Sequence, residues 1–238
     1  MHRRDLFGLA SLPLLAPAPR QREAPGPPRE KVVVAGGHPG DPEYGCGGTI
    51  ARLADRGHEV VLLYLNDGVP AGKPKDGVRV AEARAASEIL GARAAFAGQV
   101  DGDSVVDRAH SESFAATLEA ERPGVVFTHW PIDDHADHRA TAMLVLDAWL
   151  KLGRRFALYF YEVSNGEDTA QFTPTDHVDI TAAEPRKRRA CFAHASQSPE
   201  RYYALQQQVA RFRGLDPGFA QAEAFARHAR SPRFDLPR

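Results

Sequence analysis

The chain reads as an α/β protein, a Rossmann-like three-layer sandwich on a mostly parallel sheet. Three observations predict this. Short unbroken apolar runs rich in β-branched residues recur, as strands buried on both faces require. Segments with apolar residues at helical spacing lie between them, and glycines mark many of the junctions. Such alternation implies right-handed βαβ units with helices on both faces of the sheet.

Each element follows in order. "KVVVAGG" is a buried strand ending in glycines, and "GGTIARLADRG" a helix with Ile50, Leu53 and Ala54 on one face and Gly57 as its stop. "HEVVLLYLN" is a second buried strand, and "GVRVAEARAASEILG" a helix closed by Gly91. "ARAAFAG", the helix "DRAHSESFAATLEAER", the strand "GVVFTH" and the helix "HRATAMLVLDAWLKLG" continue the pattern. After "RFALYFYEV", where Tyr159, Tyr161 and Glu162 read as strand packing, come a short strand "HVDIT" and three expected helices. These are "EPRKRRACFAHAS", "PERYYALQQQVARFRG" and "GFAQAEAFARHAR", whose charged faces read as solvated.

Size and charge narrow the function. The 238 residues are 43% hydrophobic with a formal net charge of -1. One sizeable core is expected, as a single domain over 31–238, with no broad basic field for nucleic acid. Cys46 and Cys191 are too few for a disulfide framework or a Cys-based zinc site and read as buried thiols.

The start differs from the rest. "MHRRDLFGLASLPLLAPAP" orders a charged head with Arg3 and Arg4, a short apolar run and small residues, which resembles a twin-arginine export signal. The run is too short to span a bilayer. "PAPRQREAPGPPRE" reads as a Pro-rich linker, so residues 1–30 are expected to be signal and linker, and the protein to be exported, or cytoplasmic if the segment is no signal.

In parallel sheets, ligands sit at the carboxyl ends of strands, near the reversal of strand order. The loops "GGHPGDPEYG", "NDGVPAGKPKDG" and "HWPIDDHADH" should therefore share one edge. "YGCGGT" looks like a dinucleotide-binding turn, but "HPGDPEY" separates it from the strand, where the cofactor turn must lie. No Gly-Lys-Ser/Thr follows for a P-loop. A metal site fits better. His38 and Asp41 are three apart in a stiffened loop, and "DDHADH" brings His135, Asp137 and His138 to a helix start. Two imidazoles and a carboxylate hold a divalent ion and leave positions for water and substrate. That donor set also occurs in non-haem iron oxygenases, which sit on antiparallel barrels instead.

These motifs carry a resemblance. From about Lys31 to Gln197 the chain resembles the PIG-L/LmbE-like family of zinc-dependent de-N-acetylases, which act on N-acetylglucosamine-containing molecules. "GGHPGDPEYGCGGTIARLADRGHEVVLLYLNDG" matches the family's His-Pro-Asp-Asp segment, and "FTHWPIDDHADHRAT" its His-x-Asp-His segment. "VRVAEARAASEILGA" matches its Arg-x-x-Glu helix, and "RKRRACFAHASQ" its Lys-bearing helix. The resemblance implies His38, Asp41 and His138 as ligands of Zn2+, with Fe2+ or another divalent metal as substitutes. His135 would steady the oxyanion or protonate the amine, with Asp137 orienting it. Arg79 and Asn66 would contact the substrate, a small N-acetylated sugar.

One position departs from the family. The general base is the first Asp of the pair, and Gly40 stands there. Glu43 is one substitute, Asp137 or Asp134 another, and a metal- and carbohydrate-binding protein that does not cut is the third possibility. Loss of acid/base help costs on the order of 100 to 10,000-fold, which weakens turnover without forbidding it.

Overall fold

The computed structural model describes residues 29–237. The export-signal reading and most of the linker reading lie outside them. Seven strands form one sheet: β1 (Lys31–Gly36), β2 (Glu59–Pro70), β3 (Arg93–Asp101), β4 (Val125–His129), β5 (Ala157–Tyr161), β6 (Asp176–Asp179) and β7 (Ala222–Arg227). The helices are α1 (Asp41–Asp55), α2 (Val78–Leu90), α3 (Arg108–Glu121), α4 (Ala136–Lys151), α5 (Glu184–Phe192) and α6 (Pro199–Leu215).

Spatial order is β3-β2-β1-β4-β5-β7-β6. Strands β1 to β5 pair in parallel, whereas β7 runs antiparallel between β5 and β6. The chain leaves β1 outward through β2 and β3, then returns to β4 on the other side. Strand order thus reverses between β1 and β4, and the loops after them meet there.

The run "KVVV" is apolar beyond its first residue because both faces are covered. Val32 and Val34 point into one core with Ile50, Leu53 and Leu90. Val33 and Ala35 point into the other with Phe114, Leu118, Leu144 and Trp149. Burial of such side chains is worth roughly 1.5–3 kcal/mol each, which fixes the register of the sheet.

The glycines of "YGCGG" are packing residues within α1. A Cβ on Gly45 would lie 2.3 Å from Tyr161, and one on Gly48 2.5 Å from Ile180. Beside them the Glu223 carboxylate accepts from the N–H groups of Gly48 (2.8 Å) and Thr49 (2.7 Å). Lys187 donates to the same carboxylate at 2.7 Å.

Two expectations fail here. Residues 222–227 form a strand, not part of a helix, because Ala222, Ala224, Phe225 and Ala226 fill a buried slot between β5 and β6. Alanine and glutamate suit a helix, but ladder bonds and burial outweigh that weak preference. The basic start of α5 is also not wholly solvated, since Lys187 is buried against Glu223. Both cysteines are free and buried, as expected. Among the described residues, no helix is long and apolar enough to cross a membrane.

The close approach at Gly48 is testable. Gly48→Ala is expected to lower unfolding free energy by about 1–3 kcal/mol in denaturant titration, because the added methyl overlaps Ile180. An unchanged midpoint would mean that α1 does not need this contact.

Candidate functional site

The site begins where β1 stops. After Gly36 the chain turns through His38 and Pro39 into Gly40, whose φ of 115° and ψ of -38° favour glycine. The turn closes when His38 N–H donates to Asp41 Oδ2 at 2.8 Å. Asp41 opens α1, where unpaired N–H groups favour a carboxylate.

Three imidazoles surround that oxygen. His38 Nδ1 lies 3.3 Å from Asp41 Oδ2, His138 Nε2 3.3 Å and His129 Nε2 3.2 Å. Burial opposes the charge of Asp41, but His138 and His38 outweigh it and hold the carboxyl well below the usual range. In a tetrahedral site with bonds near 2.1 Å, ligand atoms stand about 3.4 Å apart. The distances from Asp41 Oδ2 to His38 and to His138 match that spacing, and two imidazoles with one carboxylate are donors that suit a divalent cation, although these three residues are not one of the donor sets that close within 4.8 Å of one another. His129 is less free, because its Nε2 lies 3.0 Å from the N–H of Gly37. Burial and the nearby His138 charge depress it to about 4.

The imidazoles of His38 and His138 each meet a carboxylate on the ring nitrogen facing away from Asp41. His38 Nε2 meets Asp137 Oδ2 at 2.9 Å and Asp101 Oδ1 at 3.1 Å. His138 Nδ1 meets Asp133 Oδ1 at 3.0 Å, and Asp133 is anchored by the Thr169 hydroxyl at 2.9 Å. A carboxylate on the outer ring nitrogen fixes the tautomer and the ring plane. Oxygen and nitrogen donors also cluster in three overlapping sets, His38/His135/His138, Asp41/His129/His138 and His38/Asp101/Asp137, each within 4.8 Å.

His38, Asp41, Asp101, His135 and His138 border a cavity of about 270 Å³, together with Tyr44, Asp168, His194 and Tyr202. His135 caps α4, its Nδ1 accepting from the Asp137 N–H at 3.3 Å, which leaves its proton on Nε2. Burial, together with His38 and His138, lowers its pKa, so it is neutral near pH 7.

The remaining sequence-derived residues fall into two groups. Arg79 borders the cavity, but its guanidinium ties the loop after β1 to the end of β2 by donating to Pro39 O at 2.9 Å and Gly68 O at 3.1 Å. Glu43, Asn66 and Asp137 lie behind the cavity. Glu43 is fully buried on α1 and accepts from Tyr64 at 2.7 Å, with His194 Nε2 at 3.0 Å. Asn66 is buried and donates to Asp137 at 3.2 Å. Asp137 turns its carboxylate to His38, Asn66 and Gly102 N–H, and only its backbone meets His135. Asp134 does not border the cavity.

Sequence reasoning missed His129, Asp133, Asp101 and Asp168. His129 and Asp133 stood inside the quoted "FTHWPIDDHADH", and the spacing of Asp133, five before His138, was the available signal. Asp101, at the end of β3, and Asp168, on a loop, carry no such cue.

Comparison with known proteins places the chain in a family. Residues 32–149 match the PIG-L family, described as GlcNAc-PI de-N-acetylase. The diacetylchitobiose deacetylase of Thermococcus kodakarensis is 30% identical over 195 residues, 74% of this chain and 73% of that protein. A conserved protein of Thermus thermophilus superposes with a TM-score of 0.76 at 29% identity, covering 86% of this chain and 97% of its own. The N,N'-diacetylchitobiose deacetylase of Pyrococcus horikoshii, solved with an inhibitor, gives a TM-score of 0.71 at 25% identity, covering 83% of each chain.

The ligand pKa values generate a pH prediction. For His138, burial opposes protonation, but Asp41 and Asp133 outweigh it and raise the imidazole from 6.5 to about 9. His38 is raised in the same way, with Asp41 the main partner overcoming burial. A cation must displace these protons, so Zn2+ affinity is expected to climb with pH from 6.5 and level off above about 9. Calorimetry in buffers of different ionisation enthalpy should detect the released protons; affinity flat across that range would contradict the assignment. Asp133→Asn should weaken Zn2+ binding by about 10 to 100-fold, read by competition with a chelating dye.

Proposed function

From the premise that this chain belongs to the PIG-L family, we propose that it is a metal-dependent hydrolase that removes the acetyl group from an N-acetylglucosamine-type amino sugar or glycoconjugate. The convergence of His38 and His138 on Asp41, beside a neutral His135 in an open cavity, carries the proposal. His38, Asp41 and His138 would hold Zn2+, for which Fe2+ can substitute. The ion supplies Lewis-acid polarisation of the acetyl carbonyl when bound.

The chain's own residues do the rest. His135, protonated on Nε2, donates to the oxygen that gains charge as the carbonyl is attacked. Asp137 and Asp133 hold the ligand rings in register. Arg79 holds the loop after β1 to the end of β2 at the rim, which keeps the substrate side of the cavity in shape. The twin-arginine-like segment, supported by sequence alone, adds export and a substrate outside the cytoplasm.

A second reading rests on Gly40. Its φ of 115° is poorly open to aspartate, the residue the family's pattern places there, and a binding protein without turnover is the alternative.

Amine release from a panel of N-acetylated sugars separates the two. The Zn2+-loaded protein is expected to release amine, chelation to stop it and added Zn2+ to restore it. His38→Ala and His138→Ala should each abolish detectable release. Gly40→Asp is expected to cost about 1–3 kcal/mol of stability through backbone strain and to leave the rate no higher than wild type. A silent wild type revived by Gly40→Asp would establish the binding protein instead.

A further inference from the structure

With Gly40 in place of an acid, some other group must take the proton of the attacking water, and the carboxylates around the site differ sharply in their commitments. Glu43 sits behind the cavity wall, engaged by Tyr64 and His194. Asp137 is engaged by His38, Asn66 and Gly102, and Asp133 by His138 and Thr169. Of the three aspartates bordering the cavity, Asp41 is surrounded by imidazoles and Asp101 contacts His38 at 3.1 Å. Asp168 is the third, and among the described residues its carboxylate has no hydrogen-bond or ion-pair partner.

Its backbone, by contrast, is held firmly. Asp168 N–H donates to Ser164 O at 2.9 Å, and Asp168 O accepts from Asp134 N–H at 2.9 Å. Thr169, the next residue, bridges to Asp133, so the loop is pinned to the one carrying His135 and His138. A side chain with free oxygens on an anchored backbone, beside the ligand imidazoles, is preorganised for proton transfer.

We propose that Asp168 is the general base of this protein, standing in for the acid that Gly40 lacks. The inference rests on the deacetylase reading above. Asp168 takes a proton from water as its oxygen bonds to the acetyl carbonyl carbon. The C–N bond then breaks, and the same proton passes to the departing nitrogen, so that amide and water become amine and acetic acid. Partial burial disfavours the charged carboxylate and raises its pKa, with Asp133 and Asp41 adding to that and His138 opposing it. A base so raised is better matched to neutral pH.

The test uses Asp168→Asn, Asp168→Glu and Asp168→Ala in the full chain, with three readouts: amine release, Zn2+ affinity, and calorimetric affinity for the sugar. Asp168→Asn is expected to lower kcat by about 100 to 10,000-fold while Zn2+ and sugar affinities stay within a few-fold of wild type. Asp168→Glu should retain part of the rate, and formate should restore part of it to Asp168→Ala. Asp168→Asn turning over within threefold of wild type would overturn the base while leaving the deacetylase reading intact. Loss of Zn2+ from Asp168→Asn would also overturn it, by making Asp168 a metal ligand. A wild type that binds Zn2+ and sugar yet releases no amine would overturn both readings, a result the other two cannot mimic.

Discussion

One carboxylate oxygen organises the site. Three imidazoles approach Asp41 Oδ2 within 3.3 Å, from the loop after β1, the end of β4 and the start of α4. Only the adjacency of β1 and β4 at the reversal of strand order brings those segments together. The carboxylates of Asp41, Asp101, Asp133 and Asp137, all concentrated there, would repel one another without the imidazoles. The arrangement is therefore an electrostatic compromise in which ring protons hold the carboxylates together.

The surrounding framework keeps that compromise rigid. Glycines in α1 let the helix pack directly on Tyr161 and Ile180, which brings Asp41 over the sheet edge. Glu223 on β7 anchors the middle of the same helix through Gly48 and Thr49 and is neutralised by Lys187. Deleting one partner of such a buried pair leaves an uncompensated charge, a far larger penalty than the pair's own worth. Stability of the antiparallel end of the sheet and placement of Asp41 are thus coupled through one helix.

Much of this was legible in the sequence. The parallel strands announced themselves because two covered faces demand unbroken apolar runs, and Val32 to Ala35 alternate between two cores without a polar break. That His38, Asp41, His135 and His138 gather at one place was legible because short spacing confines them to two loops at strand ends. What stayed hidden depends on contacts distant in sequence. Strand β7 reads as a helix locally and becomes a strand only between β5 and β6. Glu43, close to Asp41 in sequence, is turned inward by the helical rotation of α1 and buried against Tyr64. Asp168 is adjacent to nothing in sequence that marks it, and a loop bridge alone brings it to the cavity.

Gly40 makes sense within this arrangement as a change of backbone as much as of side chain. At φ of 115° the residue directs the chain so that Asp41 starts α1 while Pro39 O faces Arg79. Space where a Cβ would project is bounded by Tyr44 and His194, at 3.7 and 4.0 Å. The obstacle to a side chain there is the backbone conformation rather than space, since those contacts are ordinary and the position borders the cavity. The acidic function removed from the first loop has a sterically independent counterpart across the cavity, on a loop whose register is set by Asp133 and Thr169. The imidazole cluster about Asp41 and the carboxylate of Asp168 then belong to separate loops, so one sequence change can remove an acid from the first without disturbing the geometry that Asp41 dictates.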